Sequence, residues 1–377
     1  MKLTRLLHDA RLVWDRWTGR RLVHCEGADC SNVTITGQVQ AAGRAAVPRP
    51  AQASFEGRAH CDHEITWPAA ACYRLRDVSV VGGDGQIFLP DGRLFSVCPW
   101  VRKMWDWKIR RPIHLGARCL SGSYFHLLGR NHENHGHFLF QYLPRLIGAE
   151  PFLSRDFKVL IAPGHRPWQE HYLKLLGYGP ERIVETSQGT VQVLDLLYVP
   201  LLSGSTPLGD PSIMSELFRR LQAGAQRLVP EVGEPPEKGM AVFISRRDAP
   251  DRKLVNEPEL LELARRHFRQ VELLVLSGMS FEAQLRAFAR AEFIVGEPGM
   301  GLSNFAFFRN RHLLCMESDD IAKTPGWEIA YVLLAELAGN TSTIVYSGSP
   351  RQTNRDWTYP AAKFGRELKR LRELSPP

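Results

Sequence analysis

The chain has 377 residues, of which 44% are hydrophobic and 23% charged, and it carries a net charge of +8. A single core rarely grows past roughly 250–300 residues, so two domains are expected, and the ordinary apolar content excludes a disordered chain. The basic excess suits an anionic partner such as a nucleotide diphosphate, an acidic membrane surface or nucleic acid, or else a solvated basic surface.

Residues 20–120 read as strands and turns. The β-branched runs 33–36 and 78–81 are followed by turn signals at Gly82-Gly83-Asp84-Gly85 and Pro90-Asp91-Gly92-Arg93, which set off strands at 87–89 and 94–97. The Ala-, Pro- and Gly-rich stretch 40–68 reads as irregular. From about residue 121 strands and helices alternate, with strands at 158–161 and 194–199 and helices at 168–176 and 212–228. Three prolines and two glycines make 229–239 the best linker. A second α/β unit follows, with strands at 240–245, 271–276, 293–295, 313–316 and 343–346. Its helices are 257–268, one capped by Ser280, 327–337 and a charged final helix over 363–374. The expected architecture is therefore α/β, with two Rossmann-like domains facing a cleft and a β-rich N-terminal portion. The domains are expected at 1–232 and 233–350, and a helix over 360–377 is expected to pack back on the first.

No run approaches the ~18–20 apolar residues that span a bilayer, and charges interrupt residues 1–9, which lack a signal peptide's apolar stretch. The chain reads as cytoplasmic, with loose peripheral attachment to an inner membrane left open. Its seven cysteines (Cys25, Cys30, Cys61, Cys72, Cys98, Cys119 and Cys315) are read as free buried thiols. His24, Cys25, Cys30, His60, Cys61 and His63 are zinc-ligand types, but no C-x-x-C pair occurs and the spacing fits no common finger.

Three segments carry residues suited to chemistry. Residues 244–252, Ile-Ser-Arg-Arg-Asp-Ala-Pro-Asp-Arg, leave a strand as a loop with Arg246, Arg247 and Arg252. Guanidinium forks at a strand's carboxyl end can hold a diphosphate without metal, although the same loop also reads as a solvated basic turn. Residues 294–304 place Gly296, Gly299 and Gly301 after a strand, with Glu297 at its end. Such a turn lets backbone amides approach an anion, or is a plain tight turn. Residues 131–146 place His132, Glu133, His135 and His137 ahead of an apolar helix. A histidine there can act as acid or base near neutral pH, and the i, i+4 pairing of a zinc-binding H-E-x-x-H helix is missing.

Together these segments resemble the family 61 glycosyltransferases, including bacterial members of capsular polysaccharide synthesis. In the family pattern a histidine opens an apolar helix ending Leu-Pro-Arg-Leu, here His137 through residues 143–146. An Ile-Ser-Arg-Arg segment is followed by an arginine and Asn-Glu, here 244–247, Arg252 and Asn256-Glu257. A Gly-rich turn leads into Gly-Leu-x-Asn and phenylalanines, here 299–304 with Phe305, Phe307 and Phe308. The resemblance covers roughly residues 75–346. Two positions depart from it: Pro298 stands where many members have a histidine, and Gln141 where an acidic residue is frequent.

The resemblance implies a GT-B fold, a nucleotide-sugar donor (UDP-linked) in the C-terminal domain, inversion at the anomeric carbon, and a glycan or lipid-linked glycan acceptor. It assigns Arg246, Arg247 and Arg252 to the diphosphate, Gly299, Gly301 and Asn304 to the donor turn, and Glu317 to ribose hydroxyls. Glu297 or His137 is the base, and His135, Asn134 and Gln141 lie on the acceptor side. No D-x-D motif stands at a strand end, so neither a metal nor another cofactor is expected. Pro298 and Gln141 keep open a non-catalytic glycan- or partner-binding relative, and no nucleic-acid-binding motif is present.

Overall fold

A computed structural model describes residues 24–25, 30–46, 64–95, 97, 111–203, 208–297, 299, 301–318, 327–346 and 355–374. The expectations placed on residues 1–9, His60, Cys61, His63 and Pro298 lie outside these residues. The chain divides into two compact units, one of residues 1–43, 68–174 and 178–202, the other of residues 44–67, 175–177 and 203–377.

The strands before the first long helix are β1 (His24–Cys25), β2 (Val33–Gln40), β3 (Gly43–Ala46), β4 (Glu64–Trp67), β5 (Ala70–Val81), β6 (Gln86–Phe88), β7 (Leu94–Phe95) and β8 (Arg118–His126). β3 and β4 form a separate two-stranded ladder. With β9 (Lys158–Ile161), β10 (Ile183–Glu185) and β11 (Thr190–Tyr198), the others build one nine-stranded sheet. Its order is β1-β7-β6-β5-β11-β8-β9-β10, with β2 also on β5. The turn between β5 and β6 works because Gly82 and Gly85 adopt φ of 70° and 65°, which costs a glycine little. β5 runs antiparallel to β11, from Thr190↔Val81 to Tyr198↔Tyr73, whereas β11, β8, β9 and β10 run parallel to one another. The β-rich start and the α/β stretch are thus one mixed sheet, which differs from the Rossmann-like unit expected. The core of this unit is built on Leu75, Val78, Val80, Val191, Val193 and Leu196, all at or near zero exposure.

After β8 comes a helical run of α1 (His135–His137), a π-helical turn (Phe138–Tyr142) and α2 (Leu143–Ala149). The wide turn has a local cause. Pro144 lacks an N–H and its ring would collide with the Phe140 carbonyl four residues back in a regular helix. The backbone opens instead, and Leu143 N–H donates to Phe138 O five residues back. α3 (Pro167–Leu175) follows β9.

The second unit is built on a five-stranded, all-parallel sheet of β12 (Glu237–Ile244), β13 (Gln270–Leu274), β14 (Ala291–Gly296), β15 (His312–Glu317) and β16 (Thr341–Tyr346). Its order is β13-β12-β14-β15-β16. The helices are α4 (Pro211–Leu228), α5 (Glu257–His267), α6 (Phe281–Arg290), α7 (Trp327–Leu337) and α8 (Ala361–Glu373). Near-continuous burial along β12, β14 and β15 is what a sheet covered on both faces requires. As expected, Ser280 caps α6, its hydroxyl accepting from Ala283 N–H at 3.2 Å. The chain moves out from β12 in one direction and then, through β14, in the other. The strand order therefore reverses between β12 and β14, and the carboxyl ends of such a pair form the natural ligand crevice of an open α/β sheet.

Three expectations are revised. The division falls after residue 202 rather than 232, because α4 belongs to the second unit: Gln222 Nε2 donates to Phe308 O at 3.0 Å and Ala338 O at 2.8 Å. Residues 229–239 are therefore internal, a short 3₁₀ turn (Pro230–Gly233) leading into β12. The last helix, α8, packs within the second unit, placing Phe364, Leu368 and Leu371 in one core with Leu260, Leu261 and Ala264 of α5. Not all thiols are free either: Cys30 is disulfide-bonded, while Cys72, Cys119 and Cys315 are free. No helix among the described residues is long and apolar enough to cross a membrane.

Gln222 gives a direct test of the revised division. Gln222→Leu takes the donor from Ala338 O and the acceptor from Arg309 Nε, while Phe308 O keeps Asn340 Nδ2 at 3.0 Å; each lost partner costs about 1–3 kcal/mol before relaxation. Urea unfolding is expected to show a loss of about 2–4 kcal/mol, whereas a surface helix linking two domains would lose almost nothing.

Candidate functional site

The carboxyl end of β12 delivers the arginine loop. Ser245 continues beside β13, its N–H donating to Leu274 O at 2.9 Å, and is itself buried. Arg246 is half-buried and Arg247 exposed. Arg247 Nε donates to Ser245 Oγ at 3.2 Å, and its Nη2 lies 3.5 Å from Glu257 Oε1 at the start of α5. Arg252 holds φ at +60°. A residue with a Cβ is strained in that left-handed conformation, and such strain concentrates at functional turns.

The turn after β14 meets this loop. A Cβ built on Gly299 would lie 2.9 Å from Arg246 Nη1, so the guanidinium rests over the bare Cα. A Cβ on Gly301 would lie 2.7 Å from Ile244 Cγ2 and 2.9 Å from Leu276 Cδ1. The ends of β12 and β14 and the turn after β13 therefore close on one another only because these two positions lack side chains. Gly299 O is held by three donors: Ser303 N–H at 3.2 Å, Ser303 Oγ at 3.1 Å and Tyr331 Oη at 3.3 Å. Burial, with the Cys315 thiol and Glu317 carboxylate nearby, raises the Tyr331 phenol to about 12, so it remains a donor.

Glu297 follows β14 directly and is 7% exposed. Its Oε2 accepts from the indole Nε1–H of Trp357 at 2.8 Å. Glu317, at the end of β15, is 1% exposed, and its Oε1 accepts from Ser318 N–H at 2.9 Å. Burial first, and then the charges of Glu317 and Glu297, push the Cys315 thiol well up, so it stays protonated. The two carboxylates thus lie inward at the ends of adjacent strands. Asn304 is also interior, its Nδ2 donating to Gln284 Oε1 of α6 at 3.3 Å. This contact braces the turn against α6.

The first unit carries the histidine cluster beyond the end of β8. Asn134 is the N-cap of α1, its Oδ1 accepting from Gly136 N–H at 3.0 Å and His137 N–H at 3.3 Å. His135 is buried against the Trp168 and Tyr172 rings, 4.9 Å and 5.1 Å between centroids, and bonds the Tyr172 hydroxyl through Nε2. Burial drops its pKa to about 3. The ring is therefore neutral and packed between these two aromatic side chains. His132 is buried too, with Nδ1 on Gly129 O at 2.7 Å. His137 alone of the three is not buried, and its Nδ1 lies 2.5 Å from Gln141 Oε1 one turn on. With an amide oxygen as acceptor, Nδ1 is the donor in this contact, which fixes the ring's orientation.

Sequence reading missed Trp357, Tyr331, Ser303 and Gln284. Only Ser303, two residues past Gly301, stood in a motif; the others reach the site from distant elements. Among the described residues no group of three or more His, Cys, Asp or Glu side chains is placed to hold a metal ion.

Residues 135–315 match the family model described as Glycosyltransferase 61. The matched stretch runs from the start of α1 to within β15, so it includes His137, the arginine loop and the glycine turn. This match supports a place for the chain in that family and supports glycosyltransferase activity. No curated protein matches the chain.

Proposed function

We propose that this chain moves a sugar, with inversion, from a nucleotide-sugar donor, in the first instance a UDP-sugar, to a glycan acceptor of surface or capsular polysaccharide. The observation that carries this reading is the seat of Arg246 over Gly299 at the strand-order reversal between β12 and β14. That crevice is where an open α/β sheet takes its ligand, and a guanidinium beside a side-chain-free turn offers a diphosphate both a charged fork and close backbone approach.

In this reading Arg246 leads, with Arg247 and Arg252, in meeting the negative charge that grows on the leaving diphosphate. Glycines 299 and 301 keep the turn low enough for the phosphates to approach. Arginines supply the charge that a divalent cation supplies in other transferases, so no metal or cofactor is required. Glu297 is the base that removes the acceptor hydroxyl proton as the sugar–phosphate bond breaks and the new glycosidic bond forms. A second base, His137, is favoured by one observation, the Gln141 contact that orients its ring through Nδ1.

A nucleotide screen by thermal shift, followed by transfer assays on Glu297→Gln and His137→Ala, tests the reading. A native-state ligand raises apparent stability, so one nucleoside diphosphate is expected to raise Tm equally with and without Mg²⁺. The base variant is expected to lose about 10²–10⁴-fold in kcat with donor binding retained. Loss confined to His137→Ala would move the base to the first unit. No shift with any nucleotide at millimolar concentration would leave a non-catalytic relative.

A further inference from the structure

The family match ends at residue 315, yet a short segment some forty residues further on reaches the same site. Residues 355–359 lie along residues 251–256, which carry the end of the arginine loop. Arg355 Nη1 is 2.9 Å from Asp251 Oδ2, and Lys253 N–H donates to Asp356 Oδ1 at 2.7 Å. Trp357 N–H donates to Lys253 O at 3.0 Å, and Val255 N–H to Trp357 O at 2.8 Å. Asn256 closes the seam on Tyr359: its Nδ2 donates to Tyr359 O at 2.8 Å, and its Oδ1 accepts from Tyr359 N–H at 3.1 Å.

This seam fixes the Trp357 backbone between the arginine loop and α8. The indole that results is 1% exposed, with the Tyr359 ring 6.2 Å away, edge-on. Its N–H can only donate, and it donates to the carboxylate of Glu297, 60 residues earlier in the chain, at 2.8 Å. A donor locked on one carboxylate oxygen holds the group's rotamer and favours its charged form. Apolar packing alone asks for neither.

We infer that Trp357 is a positioning residue for Glu297, so that the segment 355–359 belongs to the working site although it lies beyond the matched region. The inference rests on the reading of Glu297 as base, and its test separates the two. The probe is the full chain labelled with ¹⁵N at tryptophan, the Trp357 indole resonance being assigned by its loss in Trp357→Phe or its displacement in Glu297→Gln. That resonance is expected to shift with pH as one carboxylate is protonated in the wild type and to be flat in Glu297→Gln.

In transfer assays over a panel of UDP-sugars, Trp357→Phe is expected to lower kcat about tenfold while the donor KM changes by less than about twofold. The sign of the pH effect follows from the contact. Removing a donor to the charged form raises the carboxylate pKa, so the acid limb of the kcat profile moves up, by about one pH unit. Trp357→His, which keeps a ring N–H, is expected to restore part of the rate. An indole resonance blind to pH, or an unmoved acid limb in a folded Trp357→Phe enzyme, would overturn the inference. Should that variant fail to fold, the comparison of wild type with Glu297→Gln decides alone. If Glu297→Gln keeps full activity while the indole resonance titrates, the contact stands and the base assignment falls.

Discussion

Arg246→Ala is expected to reduce kcat/KM for the donor by about 10²–10³-fold, the loss seen when one pre-placed charge or donor is removed from a developing anion. The fold should survive it. The side chain is half-buried on a loop, and the strand beneath is held by the sheet pairings of Ala241, Val242 and Phe243 with both neighbours. Arg246→Lys should recover only a fraction, because an ammonium is a point charge where the guanidinium is a planar fork. Arg247→Ala is expected to cost less, within about tenfold. Its guanidinium is exposed and already shared between Ser245 and Glu257. Steady-state kinetics on the three variants, with urea midpoints as the check on folding, ranks the two arginines. Equal and small effects would remove the diphosphate from this crevice.

That ranking was not legible in the sequence. Residues 244–252 advertise three arginines after a strand, and strand-end position is enough to suspect all three. Which one faces the glycine turn depends on β12 and β14 being neighbours, a pairing across some fifty residues that no local pattern encodes. The elements of the second unit were readable to within a few residues, because apolar runs there are bounded by a turn or capping residue, as at Gly296 and Ser280. In the first unit the individual strands were readable but their assembly was not. The antiparallel pairing of β5 with β11 joins Tyr73 to Tyr198, and it converts an expected α/β layer into a mixed sheet. His135 and His137 look alike two residues apart, but one faces inward onto Trp168 and Tyr172 and the other does not. Trp357 carried no signal at all, since an isolated tryptophan outside any motif reads as core.

Arg145→Met is expected to be the most damaging substitution to stability, by about 3–5 kcal/mol, a large share of the about 5–15 kcal/mol that holds a typical domain folded. Arg145 is 2% exposed, and its charge is met by backbone oxygens. Nε donates to Val199 O at 2.6 Å, Nη1 to Leu128 O at 3.2 Å and Nη2 to His126 O at 3.0 Å. The rings of Tyr142 and Tyr198 lie 5.4 Å and 5.2 Å from its central carbon, close enough for cation–π attraction. One guanidinium therefore ties α2 to the carboxyl ends of β8 and β11. Methionine fills much of the volume and leaves the oxygens unsatisfied at about 1–3 kcal/mol each. Lysine keeps the charge but has no fork to span both strands, so Arg145→Lys is expected to recover little. Urea unfolding of the two variants is the measurement; a loss under about 1 kcal/mol in Arg145→Met would show that these carbonyls find other donors. The consequence extends to the site, because α2 continues the helical run that begins at His137. A run no longer pinned at Arg145 has no reason to keep Gln141 Oε1 within 2.5 Å of His137 Nδ1. Whatever chemistry His137 performs should therefore weaken in any Arg145 variant that still folds.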